Sequence, residues 1–331
     1  MLTHEQEVWL LKQLWRNGYQ LAGSVSLIQQ RAWSQVMTVP TTNGVVYLKM
    51  VSPVLRFEAG LTMALYRWRM PVPEVVAVEP GQGWLLLADA GQPLRQLLQT
   101  DRDIGRWQTA VSHYAQMQIA LIPRAATLLE LGVFDRRLER LPTLFAALLQ
   151  DTPAMLLGHE EGLTAAEYSQ LHQAIPQFTA LCQRLAAFGI PETLHHDDFH
   201  DNNVFVKNGR YTFADWGETC LAHPFFSLII VLRNAAYILK LEAHDPVLAA
   251  VRDAYLAQWR AFGTLAELQE AFALAQTVGT VNRALTWHAL LVLMSEAERA
   301  EEAPSVPGWL QLFLPQTSYS QKNESATDAH R

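Results

Sequence analysis

Two short strings in this 331-residue chain space acidic and amide side chains as phosphoryl transfer requires. The first is His196-Asp197-Asp198-Phe199-His200-Asp201-Asn202-Asn203, an H-x-D-x-x-x-x-N pattern; the second is Ala214-Asp215-Trp216-Gly217. Moving a phosphoryl group to a hydroxyl needs one carboxylate to take the hydroxyl proton. It also needs oxygen ligands that hold a divalent cation on the phosphates. Asp198 suits the first task, and Asn203 with Asp215 suits the second.

The residues between the strings bring them together. Val204-Phe205-Val206-Lys207 and Arg210-Tyr211-Thr212-Phe213 are β-prone runs joined by Asn208-Gly209, the pair that best tolerates the two positive φ angles of a type I′ hairpin. Such a hairpin pairs Lys207 with Arg210 and sets Asn203 opposite Ala214 and Asn202 opposite Asp215. The ladder is expected to end there, leaving the loop to aim Asn203 on its own.

The string Leu194 to Phe205, followed by Ala214-Asp215-Trp216-Gly217-Glu218 and His223-Pro224-Phe225-Phe226, resembles the aminoglycoside phosphotransferase and choline kinase family. The family pattern is H-G-D-x-x-x-x-N, a hairpin, D-W or D-F-G, and a Pro-containing segment opening a helix. The resemblance implies an α+β, protein-kinase-like fold of two lobes, with a small β-rich N-lobe and a larger helical C-lobe. It implies ATP and Mg2+ as cofactors and a small-molecule hydroxyl as acceptor. Asp198 then stands as catalytic base, Asn203 and Asp215 as magnesium ligands, and His196 as a loop-shaping residue.

A second constellation precedes these strings. Kinase-like sites place a strand lysine on the nucleotide phosphates and hold it with a glutamate of the next helix. Lys49 ends the strand Val45 to Lys49, and Glu58 opens the following helix on the face of Leu61, Thr62 and Leu65. A surface lysine and a first-turn glutamate favoured by the helix dipole is the plainer account; the loop at Asp198 tips the choice. Leu87 to Ala90, including Asp89, then resembles the hinge that holds adenine. Three positions depart from the family pattern. The turn Arg31-Ala32-Trp33-Ser34 has no glycine to cover the phosphates, leaving Ser34 to offer its hydroxyl and amide. Asp197 stands where glycine is common, and Ser227 where an aspartate often follows the Pro-containing segment.

Stepping along the chain, Thr3 and Gln6 form a capping box for a first helix with Val8, Leu11, Leu14 and Trp15 as its apolar stripe. Val25 to Met50 is β-rich; Phe57, Leu61, Leu65 and Trp68 mark a helix. Val75–Val78 and Trp84–Leu87 read as strands. Helical patterns dominate beyond the break at Asp89-Ala90-Gly91-Gln92-Pro93. The expected division is a nucleotide lobe over 1–89, a helical lobe with catalytic loop and acceptor site over 90–317, and a disordered tail over 318–331. In the helical lobe, Thr164 with Glu167 caps one helix, and separate helices are expected over Leu265–Val278 and Val281–Ala300.

A net charge of −7 argues against nucleic acid as partner. Two cysteines do not make a disulfide framework, and the first residues lack the regions of a signal peptide. The apolar run Phe225–Leu232 stops at Arg233, too short to span a bilayer. A cytoplasmic protein with no membrane partner is expected. His195, His196, Asp197, Asp198, His200 and Asp201 also suggest a metal-dependent hydrolase, but the H-x-H-x-D-H order fails. The glycine-poor turn raises another alternative, a non-catalytic nucleotide-binding protein of the same fold. Among ten tryptophans, Trp259, Trp287 and Trp309 fall where an acceptor pocket forms; core packing is their plainer role, an ammonium cage the other.

Overall fold

The structure is a computed structural model describing residues 2–242 and 245–314; the tail expected from Ser318 onward lies outside the described residues. Its N-terminal part comprises α1 (His4–Arg16), β1 (Ser26–Arg31), β2 (Ser34–Thr41), β3 (Gly44–Val51), α2 (Phe57–Arg67), β4 (Val75–Glu79) and β5 (Trp84–Ala88). The strands form one antiparallel sheet in the order β1-β2-β3-β5-β4. Alternation along β3 decides its two faces. Val46, Leu48 and Met50 are buried under α1, together with Met37, Val39 and Leu86, while Lys49 points to the opposite side.

The capping box of α1 forms as expected, with Thr3 Oγ1 accepting from the Gln6 amide. Its buried face differs from the expected stripe. Trp9, Leu10 and Leu14 enter the core, and Trp9 meets Trp84 edge-on at 5.5 Å, whereas Val8, Leu11 and Trp15 are exposed, Trp15 to 79%. The helix carries apolar residues on two sides, and the sheet selects one. Each such burial stabilises by about 1.5–3 kcal/mol. In α2, Phe57, Leu61 and Leu65 pack into the core of the helical lobe, and Phe57 meets Phe134 at 5.4 Å. That face anchors α2 while Glu58 and Thr62 line the cleft.

After Ala88 the chain turns helical: β6 (Gln92–Pro93), α3 (Leu94–Asp101), α4 (Gly105–Leu121), α5 (Ala125–Glu130), β7 (Phe134–Asp135), α6 (Leu141–Leu148), α7 (Ala165–Gln173) and α8 (Ile175–Ala186). Then follow β8 (Thr193–His195), β9 (Val204–Lys207), β10 (Arg210–Phe213), β11 (Cys220–Ala222), α9 (Leu228–Leu239), α10 (Pro246–Leu256), α11 (Leu265–Leu291), α12 (Glu296–Glu302) and α13 (Ser305–Phe313). Two three-stranded sheets, β10-β9-β6 and β7-β11-β8, sit among the helices. The second was not anticipated, because strands of two or three residues carry no readable period. Among the described residues no helix is long and apolar enough to cross a membrane.

The two helices expected around Gly279 are one, running unbroken through α11. Gly279 serves packing: a Cβ there would lie 2.4 Å from Ile229 Cδ1 and 3.0 Å from Phe226 Cδ1. The missing side chain lets α9 and the turn before it approach α11. That approach places Asn282 and Arg283 beneath the catalytic strings.

Candidate active site

Four strands fix two loops side by side. The hairpin pairs Lys207 with Arg210 through to Val204 with Phe213, and Asn208 and Gly209 take φ of 52° and 76°. One further bond, Ala214 N–H to Asn203 C=O at 3.0 Å, lies where the ladder is expected to end. At the other side β8 pairs with β11, His195 opposite Cys220. The segment 196–203 therefore leaves β8 and enters β9, while 214–219 leaves β10 and enters β11. Paired at both ends, the loops lie against each other.

Asp198 is held by both oxygens. Oδ1 accepts from Arg283 Nη2 at 3.0 Å, and His200 Nε2 lies 3.2 Å from Oδ2. Asn203 Nδ2 donates to the Asp198 carbonyl at 2.9 Å and to Oδ2 at 3.3 Å, which leaves the amide oxygen of Asn203 as its free ligand atom. The buried Arg283 also donates through Nη1 to the Asp197 carbonyl at 3.0 Å and to Glu218 Oε2 at 2.6 Å. One guanidinium thus ties both loops together. Three carboxylates crowd around it. Burial and the charge of Asp198 push Glu218 up to about 8 against the pull of Arg283.

Lys49 reaches the same place from the N-terminal sheet. Nζ donates to Glu58 Oε1 at 2.7 Å and to Asp215 Oδ1 at 2.6 Å. Burial lowers its pKa, but Asp215 and Glu58 outweigh that and hold it above the ordinary lysine value, so it is charged. Glu58 Oε1 also accepts the Trp216 N–H at 3.0 Å. Gly217 follows for a steric reason: a Cβ there would stand 3.2 Å from Glu58 Oε2. Asp215 adopts φ of +67°, a conformation costly for a residue with a side chain and common where a site must aim one. Its side chain is 41% exposed to the cleft.

The unexpected Asp197 and Ser227 meet at His195. Asp197 is buried, accepts from His195 Nε2 at 2.8 Å and from Asn282 Nδ2 at 3.1 Å. Burial raises its pKa, but His195 and Arg283 hold it well below the usual carboxylate range. Ser227 Oγ meets His195 Nδ1 at 2.7 Å and lies 3.2 Å from the Tyr114 hydroxyl, which accepts the His196 N–H at 2.8 Å. Asp197 and Ser227 thus contact opposite ring nitrogens of His195. His196 is buried, which lowers its pKa to about 4; neutral, it donates from Nε2 to the Ala214 carbonyl at 2.9 Å.

Asp198, Asn203, Asp215, Lys49, Glu58, Ser34, Leu87, Asp89 and Ala90 line one cleft of about 2000 Å³; His196 lies behind it, shaping the loop. Lys207 Nζ donates to both the Asp89 carbonyl and Oδ2 at 2.9 Å, which ties the segment at Asp89 to the hairpin. Ser34 closes a tight two-residue turn whose Trp33 carbonyl accepts from Ser52 N–H at 2.8 Å. Among the described residues no group of three or more His, Cys, Asp or Glu is placed to hold a metal ion, so the hydrolase alternative finds no centre. Trp259 and Trp287 are buried in the core, as the plainer reading had it; Trp287 and Trp309 also border the cleft. Arg283 escaped sequence reasoning. Its signal was an arginine inside the apolar stretch Val281–Leu285, 85 residues from Asp198.

The chain resembles several solved structures over most of its length. An ethanolamine kinase of Plasmodium vivax shares 11% identity at a TM-score of 0.63, covering 94% of this chain and 90% of its own. Choline kinase of Cryptosporidium parvum shares 12% at 0.60, over 87% and 88%. A macrolide 2′-phosphotransferase of type I shares 14% at 0.54, over 92% and 98%. At these identities the structural likeness shows the fold alone. No curated protein matches significantly. The model of the phosphotransferase enzyme family matches residues 33–270, from the nucleotide-side turn through both strings to α11. With that match over well more than half its length, this chain belongs to the phosphotransferase enzyme family.

Proposed function

We propose that the protein transfers the γ-phosphoryl group of ATP to a hydroxyl of a small molecule, with ATP taken by the lobe over 1–89 and the acceptor by the helical lobe beyond. The observation that carries this reading is the placement of Asp198. Its carboxylate sits between Arg283 and His200 in the cleft that Lys49 enters from the N-terminal sheet and Asp215 from the neighbouring loop. A base fixed through both oxygens loses little freedom when it meets a hydroxyl, and positioning is most of what phosphoryl transfer asks of a protein.

The donor set suits magnesium. The amide oxygen of Asn203 and the cleft-facing carboxylate of Asp215 are hard oxygen ligands, few in number, as a cation shared with phosphates needs. When bound, Mg2+ neutralises charge on the phosphate oxygens. Lys49, kept charged and buried, offers the phosphates a cation that Glu58 holds in place. Asp198 receives the acceptor proton. Leu87 and Ala90 border the adenine side, where the Asp89–Lys207 bond stiffens the hinge.

Calorimetric titration with ATP, with and without magnesium, tests the reading. Saturable binding strengthened by magnesium is expected, and Asp215→Ala should lose most of that strengthening. Equal affinity in both proteins refutes the ligand role, and binding without turnover on any acceptor would move the protein to the non-catalytic alternative.

A further inference from the structure

The cations of the cleft fall into two groups. Lys49 is paired with Glu58 and Asp215, Arg95 with Asp201 at 2.9 Å, and Arg283 with Asp198 and Glu218. Arg233 differs. On α9, it lines the cleft and makes no ion pair or hydrogen bond among the described residues; its guanidinium lies over the Trp309 ring, 5.0 Å from the centroid. Its side chain is exposed to the cleft, and the protein beside it still lowers its pKa from the ordinary arginine value by desolvation. A guanidinium nevertheless stays charged at any physiological pH.

Its position is fixed with respect to the reacting groups. The next residue, Asn234, accepts the Asp201 N–H at 3.3 Å, so this turn of α9 is bonded to the catalytic loop. The cation–π contact with Trp309 of α13, 5.0 Å from the ring centroid, favours this placement of the guanidinium before a ligand arrives. A planar fork of donors with no acidic partner matches a carboxylate or a phosphate. The same contact argues against an ammonium cage. Trp309 already carries Arg233, and Trp287 carries Arg283 at 5.4 Å, so a quaternary ammonium approaching either ring meets a resident cation.

Building on the phosphotransferase reading, we propose that Arg233, stacked on Trp309, recognises the acceptor, and that the acceptor is a hydroxyl compound bearing a carboxylate or phosphate group. The anion docks on the guanidinium and the hydroxyl is left to reach Asp198. Arg233 thereby sets specificity and takes no part in the transfer itself.

The test uses the full chain saturated with Mg·ADP, so that its phosphate-binding groups are occupied. Calorimetric titrations with glycerate, glycerol 3-phosphate and choline follow. One of the two anions should bind, and which one binds separates a carboxylate from a phosphate acceptor. Arg233→Gln should weaken that binding about tenfold or more, the loss of a charge-assisted pair; Arg233→Lys, which keeps the charge but not the fork, should fall between. The Mg·ADP titration of each variant reports that it is folded. Binding of choline with neither anion, binding of none of the three, or equal anion binding by Arg233→Gln overturns the proposal and leaves the nucleotide reading standing. Failure of the wild-type protein to bind Mg·ADP sinks the phosphotransferase reading first, and this proposal with it.

Discussion

At the catalytic end of the cleft every charge is committed. Lys49 lies between two carboxylates, Asp198 between Arg283 and His200, Asp197 between His195 and Asn282. At the acceptor end Arg233 rests on an indole ring with no acidic partner among the described residues. The contrast follows from what each end must do. A reaction whose geometry never changes gains from groups locked before substrate arrives. A recognition surface must leave its charge open for a ligand to complete. Mutating the two ends should therefore give different kinds of loss.

The largest effect belongs to Asp198, the proposed base. Asp198→Asn keeps the volume and the bonds to Arg283 while removing the proton acceptor, so kcat should fall about 10²–10⁴-fold, the span of general-base catalysis. Affinity for Mg·ATP should stay near that of the wild type. Steady-state kinetics with a parallel binding titration checks both; undiminished turnover would remove Asp198 from its role.

A pair of arginine variants sharpens the comparison. Arg283→Met leaves Asp197, Asp198 and Glu218 crowded without their shared cation, and breaking a buried charge network costs about 3–5 kcal/mol. Arg233→Gln gives up a stacked but unpaired cation, a loss of about 1 kcal/mol or less. Urea denaturation of the two should place their midpoints well apart. Similar midpoints would mean that the acceptor end is as tightly built as the catalytic one.

Gly279 joins the ends, because α11 carries Arg283 toward one and Trp287 toward the other. Gly279→Ala forces a methyl toward Ile229 and Phe226, and overpacking of that kind costs about 1–3 kcal/mol. The Phe226 side packs near His195, at 5.9 Å between rings, so kcat should drop along with stability. A variant as stable and active as the wild type would show that α9 and α11 can separate freely.

The same division explains what could be read from the chain. The catalytic end is encoded within about twenty residues: two strings, a hairpin, and an Asn-Gly turn whose backbone demands are local. The β3 alternation that aims Lys49 is local as well. Arg283 and Arg233 are not, since their neighbours, two loops for one and α13 for the other, lie far away in sequence, and no period marks an arginine that a distant segment will need. The stripe of α1 and the continuity of α11 failed for one reason. Trp15 and Gly279 are judged by which surface packs on them, and that surface belongs to another part of the chain.

The smallest effect tests how tightly charge is shared at the catalytic end. Glu218 is raised from the ordinary glutamate value to about 8 by burial and by Asp198, against Arg283. Between those two values the folded chain keeps a proton that the unfolded chain has released, so stability falls as pH rises through this window and levels off above the folded value. Glu218→Gln retains an oxygen for Arg283 Nη1 and cannot ionise, so it escapes that fall. Its stability relative to the wild type should rise by about 1 kcal/mol between pH 7 and pH 8. Denaturant titrations at the two pH values measure the difference. A flat difference would mean that Glu218 is already ionised at pH 7. Arg283 would then serve three full carboxylates, and Asp198 would owe its position to His200 and Asn203 more than to the guanidinium.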